Sequence, residues 1–191
     1  MNTTTLKRRK STIYITKIAV LAALSSILYI FVRIPLFPAP FNVLKLDFAT
    51  IPSLLGGFAM GPVAGVSIEA IKVFVKFLTD PTESAGVGEL SNFIVSVALV
   101  LPASIIYKYH KSKKGALIGM LVGILTCVIV GALSNYFIVV PFYTEFVTPI
   151  LRDYRVQFAF GYSVAFNLIK SVATSILTYA LYKRLSRILH L

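Results

Sequence analysis

The last long apolar run of the sequence carries a stripe of polar residues, Ser163, Asn167, Lys170 and Thr174, at spacings of 4, 3 and 4. In an α-helix these spacings place all four side chains on one face. Such a face must meet protein or a polar ligand rather than lipid. Asn135, in the preceding apolar run, adds a second amide. Amides pair a donor with an acceptor, which suits the imide edge of a planar heterocycle, although they also join helices to one another.

A group of charged residues lies in another apolar stretch. Glu69, Lys72 and Lys76 are spaced by three and four residues, so they share one helical face. Ionisable side chains within a membrane-spanning helix are costly and commonly mark a function. Two interpretations stay open: an internal ion pair with Lys76 extending outward near Asp80, or a polar face that lines a cavity.

Motifs of the common enzyme classes are missing from the sequence. It has no Walker, Rossmann, HExxH, CxxC or nucleophile-elbow pattern. Its two histidines, His110 and His190, have no catalytic companion nearby, and the single cysteine, Cys127, suits a small apolar filler inside a span. We therefore predict no catalysis, no metal site and no cofactor.

The composition indicates that lipid surrounds most of the chain. Of its 191 residues, 57% are hydrophobic and 14% are charged, and the mean hydropathy is +0.84. Soluble domains have roughly 45–50% apolar and about 25% charged residues. Residues 90–107 and 115–144 contain no charged side chain, and apolar runs of about 18 residues or more are typical of membrane-spanning helices. The sequence therefore predicts an all-α integral membrane protein.

The net charge of +12 is concentrated beside the apolar runs. Basic residues cluster at 7–10, at 108–114 and at 183–187, which is the distribution expected of loops on the cytoplasmic side of a membrane. No aromatic platform or groove-reading motif accompanies them, so nucleic acid is not an expected partner. If all three clusters are cytoplasmic, an even number of spans separates successive clusters and both termini are cytoplasmic.

Proline and glycine breaks divide the chain into six predicted spans. Pro35 ends the first apolar run, Asp80–Pro81 ends the third, and the segment from Pro141 to Arg155 separates the last two. The second span is short for a bilayer. We predict a basic cytoplasmic segment over 1–12, a single membrane domain over 13–186 and a cytoplasmic tail over 187–191, with spans at about 13–33, 48–60, 62–79, 90–107, 115–140 and 158–182.

Two further patterns bear on partners and ligands. Ala19 and Ala23, like Ala22 and Ser26, are four residues apart, a spacing that lets a second helix pack closely, whether from this chain or from another subunit. The segment 86–93 opens the fourth span with glycines that let backbone approach a ligand. The first pattern predicts a docking face and the second a point of close approach.

Together these segments resemble one known family, the substrate-binding S components of energy-coupling factor (ECF) vitamin transporters, specifically the riboflavin-binding type. The resemblance covers residues 13–186. It is carried by the basic amino terminus, Ala19-x-x-x-Ala23, the segment Leu44–Asp47, the segment Gly88–Phe93, Asn135 and Asn167-x-x-Lys170.

The resemblance implies a multi-pass protein of the bacterial cell membrane that binds riboflavin as its transported ligand. The vitamin would lie near the outer face, under the loop between the first two helices. A transmembrane coupling subunit would dock at Ala19 and Ala23, and two cytoplasmic ATPase subunits would supply the energy. This chain would hydrolyse nothing itself.

The resemblance also assigns ligand contacts by position. The isoalloxazine ring would meet Asn135, Asn167 and Lys170. The ribityl chain, or the loop closed over it, would involve Leu46, Asp47, Gly88 and Glu89, with Asn92 as a further ligand contact.

Other functions stay open at this point. An S component for another vitamin is one, although a cationic ligand such as thiamine is disfavoured by Lys170, whereas an anionic vitamin would suit it. A small membrane enzyme would need a convergent nucleophile and base or an acidic metal cluster, and a structural membrane subunit would bind no small molecule.

Overall fold

The computed structural model of the chain describes residues 3–38, 41, 43–79, 85–146 and 152–189. The predicted break at Asp80–Pro81 lies outside these residues. Where it is described, the backbone is almost entirely helical. The helices are α1 Thr3–Phe31, α2 Thr50–Met60, α3 Pro62–Thr79, α4 Val87–Tyr109, α5 Lys113–Ser134, α6 Val140–Phe146 and α7 Ser163–Leu189.

Length and composition divide these helices into two groups. α2 is apolar but has only 11 residues, and α3 has 18 residues with the three charged residues 69, 72 and 76 among them. Four described helical stretches are long and apolar enough to cross a membrane, namely Ser11–Phe31, Val87–Tyr109, Lys113–Glu145 and Gln157–Tyr182.

The expected helix end at Pro141 is wrong. The helix continues from α5 through Pro141 to Phe146. In a regular α-helix, proline lacks the N–H of one hydrogen bond and its ring meets the carbonyl four residues earlier. Here the turn directly before it, Asn135–Val139, is a π-helix joining α5 to α6, in which the Val140 N–H bonds to the Asn135 carbonyl oxygen five residues earlier. The regular pattern of bonds between residues four apart, which proline disrupts, is therefore already interrupted at this point. A second π-helical turn, Gln157–Tyr162, leads into α7.

The connection between α1 and α2 folds back over one end of the helices. It contains a short antiparallel pair, β1 Ile34–Pro35 with β2 Lys45–Leu46. Between the two strands, the Phe41 ring stacks on Tyr162 with a centroid distance of 4.0 Å. Phe41 also belongs to an apolar cluster with Phe158. The connection is therefore anchored on the residues that lead into α7.

Glycines let α4 and α5 pack closely. A Cβ atom at Gly119 would lie 2.7 Å from the carbonyl oxygen of Ala103, and one at Gly123 would lie 2.5 Å from that of Leu99. Larger residues at either position would push the two helices apart. The close approach brings Leu99 of α4 beside Cys127 of α5 in the wall of a cavity.

Candidate ligand-binding cavity

A cavity of about 470 Å³ lies under the α1–α2 connection and is lined by residues of α1, α2, α4, α5, α6, α7 and both π-helical turns. Leu46 is the one predicted ligand-binding residue that is not in its lining; it packs instead beside the apolar cluster of the connection. The predicted residues that the structure does bring together in the lining are Asn135, Asn167, Lys170, Asp47, Gly88, Glu89 and Asn92.

The amides of Asn135 and Asn167 are held by a shared partner, Ser163. Asn135 Nδ2 donates to the Gly131 carbonyl oxygen at 2.8 Å and to Ser163 Oγ at 2.9 Å. Asn167 Nδ2 donates to the Ser163 carbonyl oxygen at 2.9 Å and to Ser163 Oγ at 3.1 Å. Carbonyl oxygens only accept hydrogen bonds, so these contacts determine which end of each amide is the nitrogen.

The opposite end of each amide faces the cavity. Both side chains are buried, and neither Asn135 Oδ1 nor Asn167 Oδ1 has a hydrogen-bond partner among the described residues. Neither oxygen is sealed inside the protein. The cavity therefore presents two hydrogen-bond acceptors from neighbouring helices, available to a ligand with an N–H or O–H donor.

An ion pair links the connection to α7. Lys170 Nζ lies 2.7 Å from Asp47 Oδ2, with the lysine side chain 12% exposed and the aspartate side chain 2% exposed. The other carboxylate oxygen of Asp47 accepts a hydrogen bond from the backbone N–H of Ala49 at 3.0 Å, directly before α2. Asp47 thus joins three segments at the cavity, and its charge is compensated inside the protein.

The charged residues of α3 form contacts behind the cavity wall. Lys72 pairs with Glu69, and both are fully buried. Lys72 also donates to Asn92 Oδ1 at 3.2 Å. None of the three charged residues of α3 lines the cavity, but Lys72 and Lys76 contact residues that do. The interpretation of an internal ion pair is therefore correct for Glu69 and Lys72, and the cavity-lining interpretation is wrong for this helix.

The expected outward path of Lys76 is also wrong. Its side chain is buried, and Lys76 Nζ lies 3.9 Å from Glu89 Oε1 in the first turn of α4. Asp80 lies outside the described residues. A buried carboxylate on the adjacent helix offers Lys76 a partner within the protein, so the ammonium group does not need to reach the membrane surface.

Several lining residues escaped the sequence interpretation, among them Tyr29 and Arg33 near the end of α1. A signal for them exists. Ala22, Ser26, Tyr29 and Arg33 have the spacing 4, 3 and 4 that identified the polar stripe of α7, and the first three are buried. Continuing the stripe of small residues to Tyr29 and Arg33 therefore identifies two residues of the cavity lining. Cys127, interpreted as an apolar filler, lies in the wall.

The small residues of α1 divide between two faces. Ala22 and Ser26 are buried against the protein's own helices, and Ser26 Oγ donates to the Ala22 carbonyl oxygen at 2.8 Å. Ala19 and Ala23 are exposed. The first pair therefore serves internal packing, and the second is accessible on the outer surface of the helices.

The chain matches proteins of known function over almost its whole length. The family model for the ECF transporter substrate-specific component matches residues 14–182. The riboflavin transporter RibU of Staphylococcus aureus is 33% identical over 177 residues, covering 91% of this chain and 92% of the relative. The riboflavin transporter FmnP of Bacillus subtilis is 29% identical over 173 residues, covering 88% and 91%.

A solved structure agrees with these matches. It is described as "Structure and mechanism of the S component of a bacterial ECF transporter" and superposes with a TM-score of 0.77 at 31% identity, covering 94% of this chain and 98% of the other. The prediction of an all-α membrane protein is confirmed, and so is the prediction that the chain is a transporter component rather than an enzyme. The chain belongs to the ECF transporter family of substrate-specific S components.

Proposed function

We propose that this S component binds riboflavin and takes part in its uptake. The observation that carries the proposal is the pair of amide oxygens, Asn135 Oδ1 and Asn167 Oδ1, held towards one cavity by bonds to Ser163 and Gly131. Support also comes from the relatives named as riboflavin transporters.

The chemistry of riboflavin complements this arrangement. Its flat ring system carries an imide N–H between two carbonyl oxygens, and the N–H suits an amide oxygen as acceptor. Lys170 Nζ uses one donor on Asp47 and keeps others for a ring carbonyl. Apolar and aromatic side chains offer walls for the ring body; they include Val139, Phe158, Phe166 and Leu99. The ribityl hydroxyls would meet Asp47, Gly88, Glu89 and Asn92, with Leu46 supporting the loop above.

The buried ion pairs beside the cavity favour a ligand that leaves them intact, and the cations Arg33 and Lys45 also line the cavity. Three buried carboxylates and three lysines pair off, as Asp47 with Lys170, Glu69 with Lys72, and Glu89 with Lys76. An anionic vitamin would have to compete with Asp47 for Lys170 and leave a buried carboxylate uncompensated. Riboflavin is uncharged, so it can bind without breaking any of these pairs.

Purified protein in mild detergent is expected to quench riboflavin fluorescence saturably, close to one flavin per chain. Riboflavin methylated on the imide nitrogen lacks the donor that the two amide oxygens require, and we expect it to bind about tenfold or more weakly, since stranding a buried polar group costs ~1–3 kcal/mol. Equal affinity for both flavins would contradict the proposed role of the amides. No quenching by a folded protein would refute riboflavin as the ligand.

We also propose the topology on which uptake depends: six membrane spans in the bacterial plasma membrane with both termini cytoplasmic. The spans have about the limits predicted above, except that the fifth helix continues past Pro141 to Phe146. Basic residues at 7–10, 108–114 and 183–187 support it. Under this topology α2 and α3 both cross the membrane, and the chain contacts lipid on all sides. A tag at either terminus that reacts with an impermeant reagent on intact cells would contradict it.

The exposed pair Ala19 and Ala23 is the proposed docking face for a transmembrane coupling subunit, which in turn would join two cytoplasmic ATPase subunits. Small residues let a partner helix approach closely, and a larger side chain blocks that approach. Ala23→Leu is therefore expected to reduce co-purification with the coupling subunit severalfold and to leave riboflavin binding unchanged. Ala180→Leu, at an exposed position of α7, is the matched control. Equal co-purification of both variants would reject the docking face.

A further inference from the structure

α3 contributes no side chain to the cavity lining, yet it places a buried lysine against a residue that does line it. Lys72 Nζ donates to Asn92 Oδ1 at 3.2 Å. Ser96 Oγ donates to the same oxygen at 3.4 Å. An ammonium group has no acceptor, so the contact with Lys72 determines that the Asn92 oxygen points towards α3 and away from the cavity.

The other end of the Asn92 amide is the part that a ligand can meet. Asn92 Nδ2 has no hydrogen-bond partner among the described residues and is not sealed inside the protein. Its polarity is opposite to that of Asn135 and Asn167, which present oxygens. The cavity therefore offers a donor from α4 and acceptors from the π-helical turn after α5 and from α7.

Lys72 is itself held in place. It is completely buried, it pairs with Glu69 one turn earlier, and its Nζ lies 5.0 Å from the ring centroid of Tyr29. A buried ammonium group cannot exchange these partners for water without a large cost. Glu69 therefore holds Lys72 in place, and Lys72 orients Asn92.

We propose that Lys72, held by Glu69, is a positioning residue that makes Asn92 a hydrogen-bond donor to an oxygen atom of the ligand. The identity of that oxygen rests on the proposed function: for riboflavin it is a hydroxyl or carbonyl oxygen. The pair acts on ligand binding from a helix that has no contact with the cavity.

Two variants distinguish an effect of Lys72 on the orientation of Asn92 from an effect on the stability of the fold. Glu69→Gln/Lys72→Met removes both charges together, so no buried charge is left alone, and it removes the donor to Asn92. Lys72→Arg keeps the charge, the pair and the donor. Each is made in the full chain and again in an Asn92→Ala background, and thermal unfolding without ligand reports the stability of every protein.

We expect Glu69→Gln/Lys72→Met to bind riboflavin about tenfold more weakly than wild type, as for the loss of one buried hydrogen bond. The affinity of Lys72→Arg should stay within about threefold of the wild-type value. In the Asn92→Ala background the same changes should have no further effect, because the residue through which they act is absent. An equal loss of riboflavin affinity in both backgrounds would show a general effect on packing and would overturn the proposal. Wild-type affinity of Glu69→Gln/Lys72→Met would also overturn it.

A second readout needs no ligand and separates this proposal from the proposed function. In protein labelled with nitrogen-15 asparagine, the Asn92 side-chain signals are assigned by their loss in Asn92→Ala. We expect them to shift in Glu69→Gln/Lys72→Met and to stay near the wild-type positions in Lys72→Arg. Unchanged Asn92 signals in both variants would overturn the positioning role. If wild type binds no riboflavin, the ligand assignment fails and these signals alone decide the role of Lys72.

Discussion

Replacing Asn167 with alanine is expected to weaken riboflavin binding about 5- to 150-fold, which corresponds to ~1–3 kcal/mol. The nitrogen of this amide is occupied by two contacts with Ser163, so the oxygen is the atom offered to the ligand. Without it, the imide N–H of the flavin would be enclosed beside apolar walls with one acceptor fewer. Fluorescence titration of the purified variant measures the effect.

The control for this variant lies on the same helix. Ser175 is buried, two turns further along α7, and does not line the cavity, so Ser175→Ala is expected to bind riboflavin with wild-type affinity. The preference for riboflavin over the methylated flavin should also narrow in Asn167→Ala, because one acceptor for the imide N–H is gone. A well-folded Asn167→Ala protein with wild-type affinity would remove Asn167 from the site.

Polar residues within apolar helices were the most informative part of the sequence. A polar stripe on a helix in lipid must find a partner inside the protein. Helical spacing alone predicted that Asn167, Lys170 and Thr174 share one face, and all three line the cavity. The fourth member, Ser163, serves as the hydrogen-bond partner of two amides. Periodicity identifies the face that a residue occupies, and it cannot distinguish a ligand contact from the support behind it.

Local sequence patterns could not predict ion-pair partners that lie far apart in the sequence. Asp80 follows Lys76 by four residues in the sequence, a spacing that a helical wheel detects, but Lys76 pairs with Glu89 on the next helix. Lys170 pairs with Asp47, 123 residues away. Choosing between such partners requires the packing of several helices, because two charges attract only when the fold brings them close.

The prediction that the helix ends at Pro141 was wrong for a different reason. A rule for proline assumes regular α-helical geometry before it, whereas here a π-helical turn, Asn135–Val139, precedes it. That turn also begins with Asn135, whose amide faces the cavity. This one π-helical turn therefore lets the helix continue beyond the proline and also positions a residue of the site. π-Helical turns occur frequently at functional sites.

Replacing Lys170 with methionine is expected to destabilise the ligand-free protein by ~3–5 kcal/mol, because it leaves the buried Asp47 carboxylate without its counter-ion. Asp47→Asn should cost less, since Lys170 is the more exposed partner and the asparagine oxygen can still accept the Ala49 N–H. The double variant should regain most of the stability lost in Lys170→Met. Thermal unfolding in detergent provides the comparison, with Lys45→Met, an exposed lysine two residues before Asp47, as the control.

The double variant separates the stability of the fold from retention of the ligand. Asp47 ties the segment before α2 to α7 through two different oxygens, so removing the charges leaves a stable helix bundle whose connection is held over the cavity less firmly. We therefore expect Asp47→Asn/Lys170→Met to release riboflavin faster than wild type even where its unfolding temperature has recovered, because the connection is held less firmly and because both side chains are proposed ligand contacts. If its dissociation rate stays at the wild-type value, the aromatic contacts of Phe41 with Tyr162 are sufficient to hold the connection. The ion pair then serves stability alone, and neither of its side chains holds the ligand.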